Sequence, residues 1–170
     1  MALARSLVRA AALDGSAPSV ALTRANRWIT RDTEAGMFVT VFYGIIEPHT
    51  GRMRYCCAGH NPPLLFRANG AVETLHTPGI ALGVLEEITL TECEVSIAVG
   101  DVVVCYTDGV TEAINAADEP FGIERLIDTV AAVRTGSAQT ILEAVTETLS
   151  RYAEGPLYDD VTLVIIKRVE

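Results

Sequence analysis

The residues best placed to do chemistry are three aspartates at the ends of two apolar, β-branched runs. Asp108 stands where "VVVCYT" gives way to Asp-Gly, and Asp159 and Asp160 stand side by side where "DVTLVII" begins. Each has a plain structural explanation when taken alone. Asp-Gly is a common turn pair, and an acid at a strand entrance blunts a sheet edge. If the two strands pair antiparallel, the end of one lies beside the start of the other, and all three carboxylates converge on one sheet edge. Neither segment holds a Lys or Arg to neutralise them. Crowded carboxylates raise one another's pKa unless a cation sits among them. The donors are all oxygens, so a hard divalent ion such as Mg2+ or Mn2+ suits them, and Asp108, Asp159 and Asp160 are nominated as its ligands.

The other reactive side chains point to less. In "CCAGH", Cys57 and His60 lie three apart, which on a strand puts them on opposite faces, and no second Cys/His pair occurs elsewhere. No zinc site is expected. A nucleophilic Cys–His pair lacks an acid to orient it, and His60 is expected to hydrogen-bond the following loop "NPP". The 4 cysteines include no Cys-x-x-Cys pair. Adjacent Cys56 and Cys57 cannot readily bridge each other, so buried, reduced thiols are expected. "GDVVVC" lacks the other elements of a phosphate-binding glycine loop.

The elements that must position the acids follow from periodicity. Leu3, Leu7, Val8 and Ala11 predict a helix over Met1 to Leu13, ended by "DGSAPS". A second helix starts near Pro18, a favoured first-turn residue, with Val20, Leu22, Ala25 and Trp28 as its expected apolar stripe. "MFVTVFYGII" and "MRYCCAGH", joined by "EPHTGR", predict a hairpin. "PPLLFR" and "AVETLH" about the turn "ANG" predict another, followed by strands in "ITLTECEVSIA" and "VVVCYTDG" with "VGD" as the turn between them. Cys93, Val95 and Ile97 should face inward there, and Glu92, Glu94 and Ser96 outward. Two helices follow in "FGIERLIDTVAAV" and "SAQTILEAVTETLSRYAE", the second capped by Ser137, before the last strand "DVTLVIIKRV". Strands in hairpins, with helices segregated before and after, indicate an antiparallel α+β domain.

Composition bounds the partners. At 170 residues the chain is sized for one domain, and 49% hydrophobic against 21% charged residues excludes disorder. With 13 Lys+Arg against 22 Asp+Glu the net charge is -9, which disfavours nucleic acid and anionic membranes. No apolar stretch is long enough to span a bilayer, and no cleavable leader is evident at the start. A cytoplasmic protein is expected.

"AGHNPPLL", "GDVVVCYTDGVTEAIN", "EPFGIERL" and "DDVTLVII", in that order, resemble the stage II sporulation protein E family of bacterial serine/threonine phosphatases, a branch of the metal-dependent PPM phosphatases. "GMFVTVFYGIIEPHTGRMRYCCAGHNPPLLFR" resembles that family's central hairpin, and the resemblance covers essentially the whole chain. It implies an α-β-β-α sandwich with a two-metal centre of Mn2+ or Mg2+ at one end of the sheets. The Thr-Asp-Gly and Asp-Asp-x-Thr motifs correspond to Asp108 and to Asp159 with Asp160 adjacent. The implied reaction is attack of metal-activated water on a phosphoserine or phosphothreonine, and the implied substrate is a phosphorylated anti-sigma factor antagonist. The family's Asp-Val-x-Gly-His/Lys-Gly motif, whose aspartate bridges both metals, has no match here. The chain is therefore expected to be an N-terminally truncated, C-terminal portion of the family domain, with exposed sheet edges that invite homodimerisation. Alone it is expected to turn over weakly or not at all. The alternatives are a phosphoprotein-binding or oligomerising module, and a structural domain whose acids are merely solvated.

Overall fold

The computed structural model describes residues 2–32, 37–153 and 160–170. In chain order the elements are α1 (Ala2–Ala12), α2 (Pro18–Asp32), β1 (Val41–Ile46), β2 (Arg52–Ala58), β3 (Leu64–Phe66), β4 (Val72–Thr74), β5 (Glu92–Ser96), β6 (Val102–Tyr106), α3 (Asp108–Thr111), α4 (Gly122–Val133), α5 (Ala138–Tyr152) and β7 (Leu163–Lys167). All strand pairings between these elements are antiparallel, as the hairpin pattern predicts. The chain divides into two units, each built from two segments: Met1–Pro62 with His76–Ser96, and Pro63–Leu75 with Ile97–Glu170.

The first unit lays α1 and α2 on a three-stranded sheet ordered β1-β2-β5. Between α1 and α2, Gly15 takes φ 72°, a left-handed turn that residues with a Cβ resist, while Asp14 Oδ1 accepts the Ser16 N–H at 3.0 Å. The buried stripe of α2 is Ala21, Leu22, Ala25 and Ile29. The predicted stripe is thus corrected at one end: Val20 is 49% exposed, because residues two apart on a helix face roughly opposite ways and Leu22 faces the core. Asn26 shares the buried face and is fully satisfied. Its amide donates to the carbonyls of Leu85 and Glu86, and its oxygen accepts the Gly83 N–H at 2.8 Å, which fastens that loop to the helix. Gly79 has no room for a side chain, since a Cβ there would lie 2.1 Å from the Cys57 carbonyl oxygen.

The second unit packs α4 and α5 on a four-stranded sheet ordered β4-β3-β6-β7. Leu64, Phe66, Val102 and Val104 from the sheet meet Leu126, Val130, Ile141, Val145 and Leu149 from the helices in one core. β3 is buried throughout and Val102 to Val104 of β6 are buried on both faces, which explains why these strands read as unbroken apolar runs. Ser137 caps α5 as predicted, accepting the Thr140 N–H at 3.0 Å. Lys167 of β7 donates to the carbonyls of Arg134 and Gly136 just beyond α4, placing a cation at the negative end of that helix.

The turn before β6 is not a simple turn. Asp101 there is 1% exposed, yet charged. Its carboxylate accepts the N–H groups of Ala68 (2.8 Å) and Ala98 (2.9 Å) and pairs with the Arg67 guanidinium at 2.9 Å. Arg67 also grips Glu73 through two further bonds, so the β3–β4 hairpin is tied to the start of β6. Burial alone would push the Asp101 carboxyl upward; the two amides and the guanidinium outweigh it and hold its pKa below the ordinary value.

Candidate functional site

The strands that carry the aspartates do pair antiparallel, with Tyr106 opposite Leu163 and Val102 opposite Lys167. The end of β6 and the entry to β7 therefore lie side by side. Asp108 is exposed and is the first residue of α3, immediately after the strand ends. Its Oδ1 accepts the Gly109 N–H at 3.0 Å, which fixes the carboxylate's orientation, and its other oxygen has no hydrogen-bond partner among the described residues. Its carbonyl accepts the Glu112 N–H at 2.8 Å and the Thr111 hydroxyl at 3.2 Å. Asp160 is also exposed, at the mouth of β7. Asp159 lies outside the described residues, and for Asp108 and Asp160 it is the strand ends carrying them that the structure brings side by side. Among the described residues no three His, Cys, Asp or Glu side chains gather closely enough to hold an ion.

What holds the two strand ends together is a side chain that sequence reasoning did not single out. Thr107 Oγ1 donates to the Asp160 carbonyl at 2.9 Å and accepts the Thr162 N–H at 2.9 Å, while the Thr107 N–H donates to the Thr162 carbonyl at 3.1 Å. In a regular ladder the Thr162 N–H would go to the Thr107 carbonyl. That carbonyl instead receives the Val110 N–H at 3.1 Å as α3 begins. The hydroxyl substitutes for it, letting the chain leave the sheet at Asp108 without orphaning a ladder group. The signal for this was a threonine beside each aspartate motif, but its meaning depended on the strand register.

The loop after α3 is similarly organised by Asn115. Its oxygen accepts the N–H groups of Ala117 and Glu119, and its amide donates to the Tyr152 hydroxyl at 3.2 Å. That hydroxyl reaches the carbonyls of Glu119 and Pro120, and the Tyr152 ring meets Phe121 edge-on at 5.3 Å. The chain downstream of Asp108 is thus anchored to α5.

The "CCAGH" stretch serves packing. Burial pushes the Cys56 thiol up to about 11 and raises Cys57 as well, which disfavours the thiolate a metal needs. The Cys57 thiol donates to the His60 carbonyl at 3.0 Å. His60 Nδ1 lies 3.3 Å from Thr40 Oγ1, a partner on the β1 side that the expected "NPP" contact did not anticipate.

An ion at the strand ends would meet oxygen donors with open access to solvent, the donor set that Mg2+ and Mn2+ prefer. Asp108 would offer it a carboxylate oriented by the Gly109 N–H, and Asp160 lies at the mouth of the adjoining strand. The residues present fit a hard divalent cation in kind.

The chain matches curated proteins over most of its own length. It is 33% identical over 141 residues to Protein IcfG of Synechocystis sp. (strain ATCC 27184 / PCC 6803 / Kazusa), covering 82% of this chain and 22% of that protein. It is 27% identical over 157 residues to the phosphoserine phosphatase RsbU of Bacillus subtilis (strain 168), covering 91% of this chain and 46% of RsbU. The chain thus spans less than half the length of either relative. Its fold is that of the SiaA-PP2C domain of Pseudomonas aeruginosa, with a TM-score of 0.86 over 98% of this chain and 68% of that one, at 20% identity. The catalytic domain of the serine/threonine protein phosphatase PstP, solved in complex with 2 manganese ions, superposes with a TM-score of 0.63 over 96% of this chain and 80% of that one, at 18% identity. The antiparallel α+β architecture is therefore that of PPM phosphatase domains. The family model for stage II sporulation protein E (SpoIIE) matches residues 1–169, and the chain belongs to that family.

Proposed function

We propose that the chain carries the metal-binding strand ends of a serine/threonine protein phosphatase, with Asp108, Asp159 and Asp160 contributing ligands. The observation that supports this most directly is the end of the β6–β7 ladder, where Asp108 and the entry to Asp160 are held together and open to solvent. Family membership supports the same reading, as do a phosphoserine phosphatase among the relatives and a manganese-bound phosphatase of the same fold. A bound Mn2+ or Mg2+, two ions in the intact family domain, supplies a water of lowered pKa and positive charge for the phosphoryl oxygens. The chain's own part is to present Asp108 with its orientation set by Gly109. The substrate is a phosphorylated protein, and by family resemblance an anti-sigma factor antagonist.

The test is Mn2+-dependent hydrolysis of a phosphoserine peptide by this chain, beside Asp108→Asn. Turnover should require the ion and fall in the variant by more than the roughly 10–100-fold that loss of an outer partner costs. Turnover that survives either removal of metal or Asp108→Asn overturns the reading. Peptide binding without hydrolysis would instead make the chain a phosphoprotein-binding module.

A further inference from the structure

Thr107 occupies the position before α3 where a threonine ordinarily caps a helix, with extended backbone angles (φ -90°, ψ 162°) suited to that task, yet its side chain makes no cap bond. The hydroxyl is committed across the sheet, to the Asp160 carbonyl and the Thr162 N–H, both at 2.9 Å. Two costs are accepted for this. The first turn of α3 forgoes its cap, and the ladder exchanges a backbone acceptor for a side-chain one. The return is geometric. One oxygen atom fixes the distance between the peptide unit of Asp160 and the residue immediately before Asp108, and so the spacing of the two acids' backbones.

We propose that Thr107 is a positioning residue for a divalent cation, its hydroxyl setting the separation of Asp108 and Asp160 without itself touching the ion. The inference rests on the metal reading above. A hydroxyl that both donates and accepts is required, because one neighbour is a carbonyl and the other an N–H. Serine satisfies this. Valine has nearly the same shape and satisfies neither, leaving the Thr162 N–H and the Asp160 carbonyl to water and the two strand ends without the bridge between them.

The experiment measures Mn2+ affinity of the chain by electron paramagnetic resonance for the wild type, Thr107→Val, Thr107→Ser, Asp108→Asn and Ser137→Ala. Each is read at a temperature well below its own unfolding midpoint. Thr107→Val should weaken Mn2+ binding about 10–100-fold, as expected of a partner one bond removed from a ligand. Thr107→Ser should restore it to within a few-fold. Ser137→Ala, which removes the α5 cap, should lower the midpoint and leave Mn2+ affinity unchanged, separating positioning from general stability. If Asp108→Asn binds Mn2+ as the wild type does, the metal reading fails whatever Thr107 does. If Asp108→Asn loses binding while Thr107→Val keeps it, the positioning proposal is overturned and the metal reading stands. A second measurement holds even where Thr107→Val does not fold. In the wild type, amide exchange of Thr162 followed by NMR should slow on adding Mg2+, because an ion tying the acids together also tightens the bond that Thr107 accepts. Unchanged exchange at saturating Mg2+ overturns the proposal.

Discussion

Replacing Asp101 with asparagine should be among the most damaging isosteric changes this chain can suffer. The carboxylate is 1% exposed and accepts from two backbone amides and one guanidinium. Asparagine keeps the volume but offers one acceptor oxygen, and its NH2 group must face at least one of those donors. Hydrogen bonds to a charged acceptor are worth about 1.5–3 kcal/mol each, and leaving one partner of a buried ion pair alone costs about 3–5 kcal/mol. Arg67 keeps its two bonds to Glu73, so the lower part of that range applies, and a loss of about 3 kcal/mol is expected. Urea denaturation at pH 7 should show a lowered midpoint with an unchanged slope. The pH dependence supplies a sharper check. The folded-state pKa of Asp101 lies below its unfolded value, so its contribution is fully present above about pH 4 and is lost as pH falls through the folded pKa. The gap between wild type and variant should therefore be constant from pH 5 upward and shrink in acid. A gap under about 1 kcal/mol at pH 7, or one that widens on acidification, would refute the reasoning.

Two other outcomes follow from packing and burial. Gly79→Ala should cost at least the roughly 1–3 kcal/mol typical of overpacking, since its Cβ would collide with the Cys57 carbonyl. Gly15→Ala, where nothing lies within 4 Å and only the positive φ objects, should cost about 1–2 kcal/mol; a larger thermal shift for Gly15→Ala than for Gly79→Ala would contradict the distinction. Burial raises the thiols of Cys56 and Cys105 to about 11 each, so at pH 8 both should resist a disulfide reagent in the folded protein while the half-exposed Cys93 reacts first. Four thiols reacting together at the unfolded rate would exclude that arrangement.

Much of this was legible because it is local. Helical spacing marked α1, α2, α4 and α5, Ser137 announced its own cap, and the β-branched runs with turns between them gave the hairpins β1–β2 and β3–β4. The end of β6 and the entry to β7 could be placed side by side because an antiparallel pairing leaves little choice. Contacts between distant residues were not legible. Asp101 reads as a turn aspartate in "VGD", and nothing nearby reveals that Arg67, 34 residues away, will neutralise it in a buried site. β5 proved shorter than its alternating pattern, starting at Glu92, and it pairs with β2 rather than a sequence neighbour. Four-residue α3 is too short for periodicity to register, and Thr107 acquires its role only once the β6–β7 register is known. Among the described residues no helix is long and apolar enough to cross a membrane.

The interleaving of the two units bears on the order in which the molecule can come into being. The first unit cannot complete its sheet until β5 has been synthesised, by which time the β3–β4 hairpin, belonging to the other unit, has already emerged without its partner β6. β6 in turn waits for β7. The Thr107 hydroxyl and the carbonyl it binds are 53 residues apart, an interval of roughly 3–10 s at ordinary rates of translation. Of the strand pairings in these two units, the β6–β7 ladder is thus the last that a growing chain can form. A chain that has grown past Tyr152 but not past Thr162 carries α1 to α5 and still lacks the β6–β7 pairing, so the Thr107 bond comes only after every one of these helices has been made.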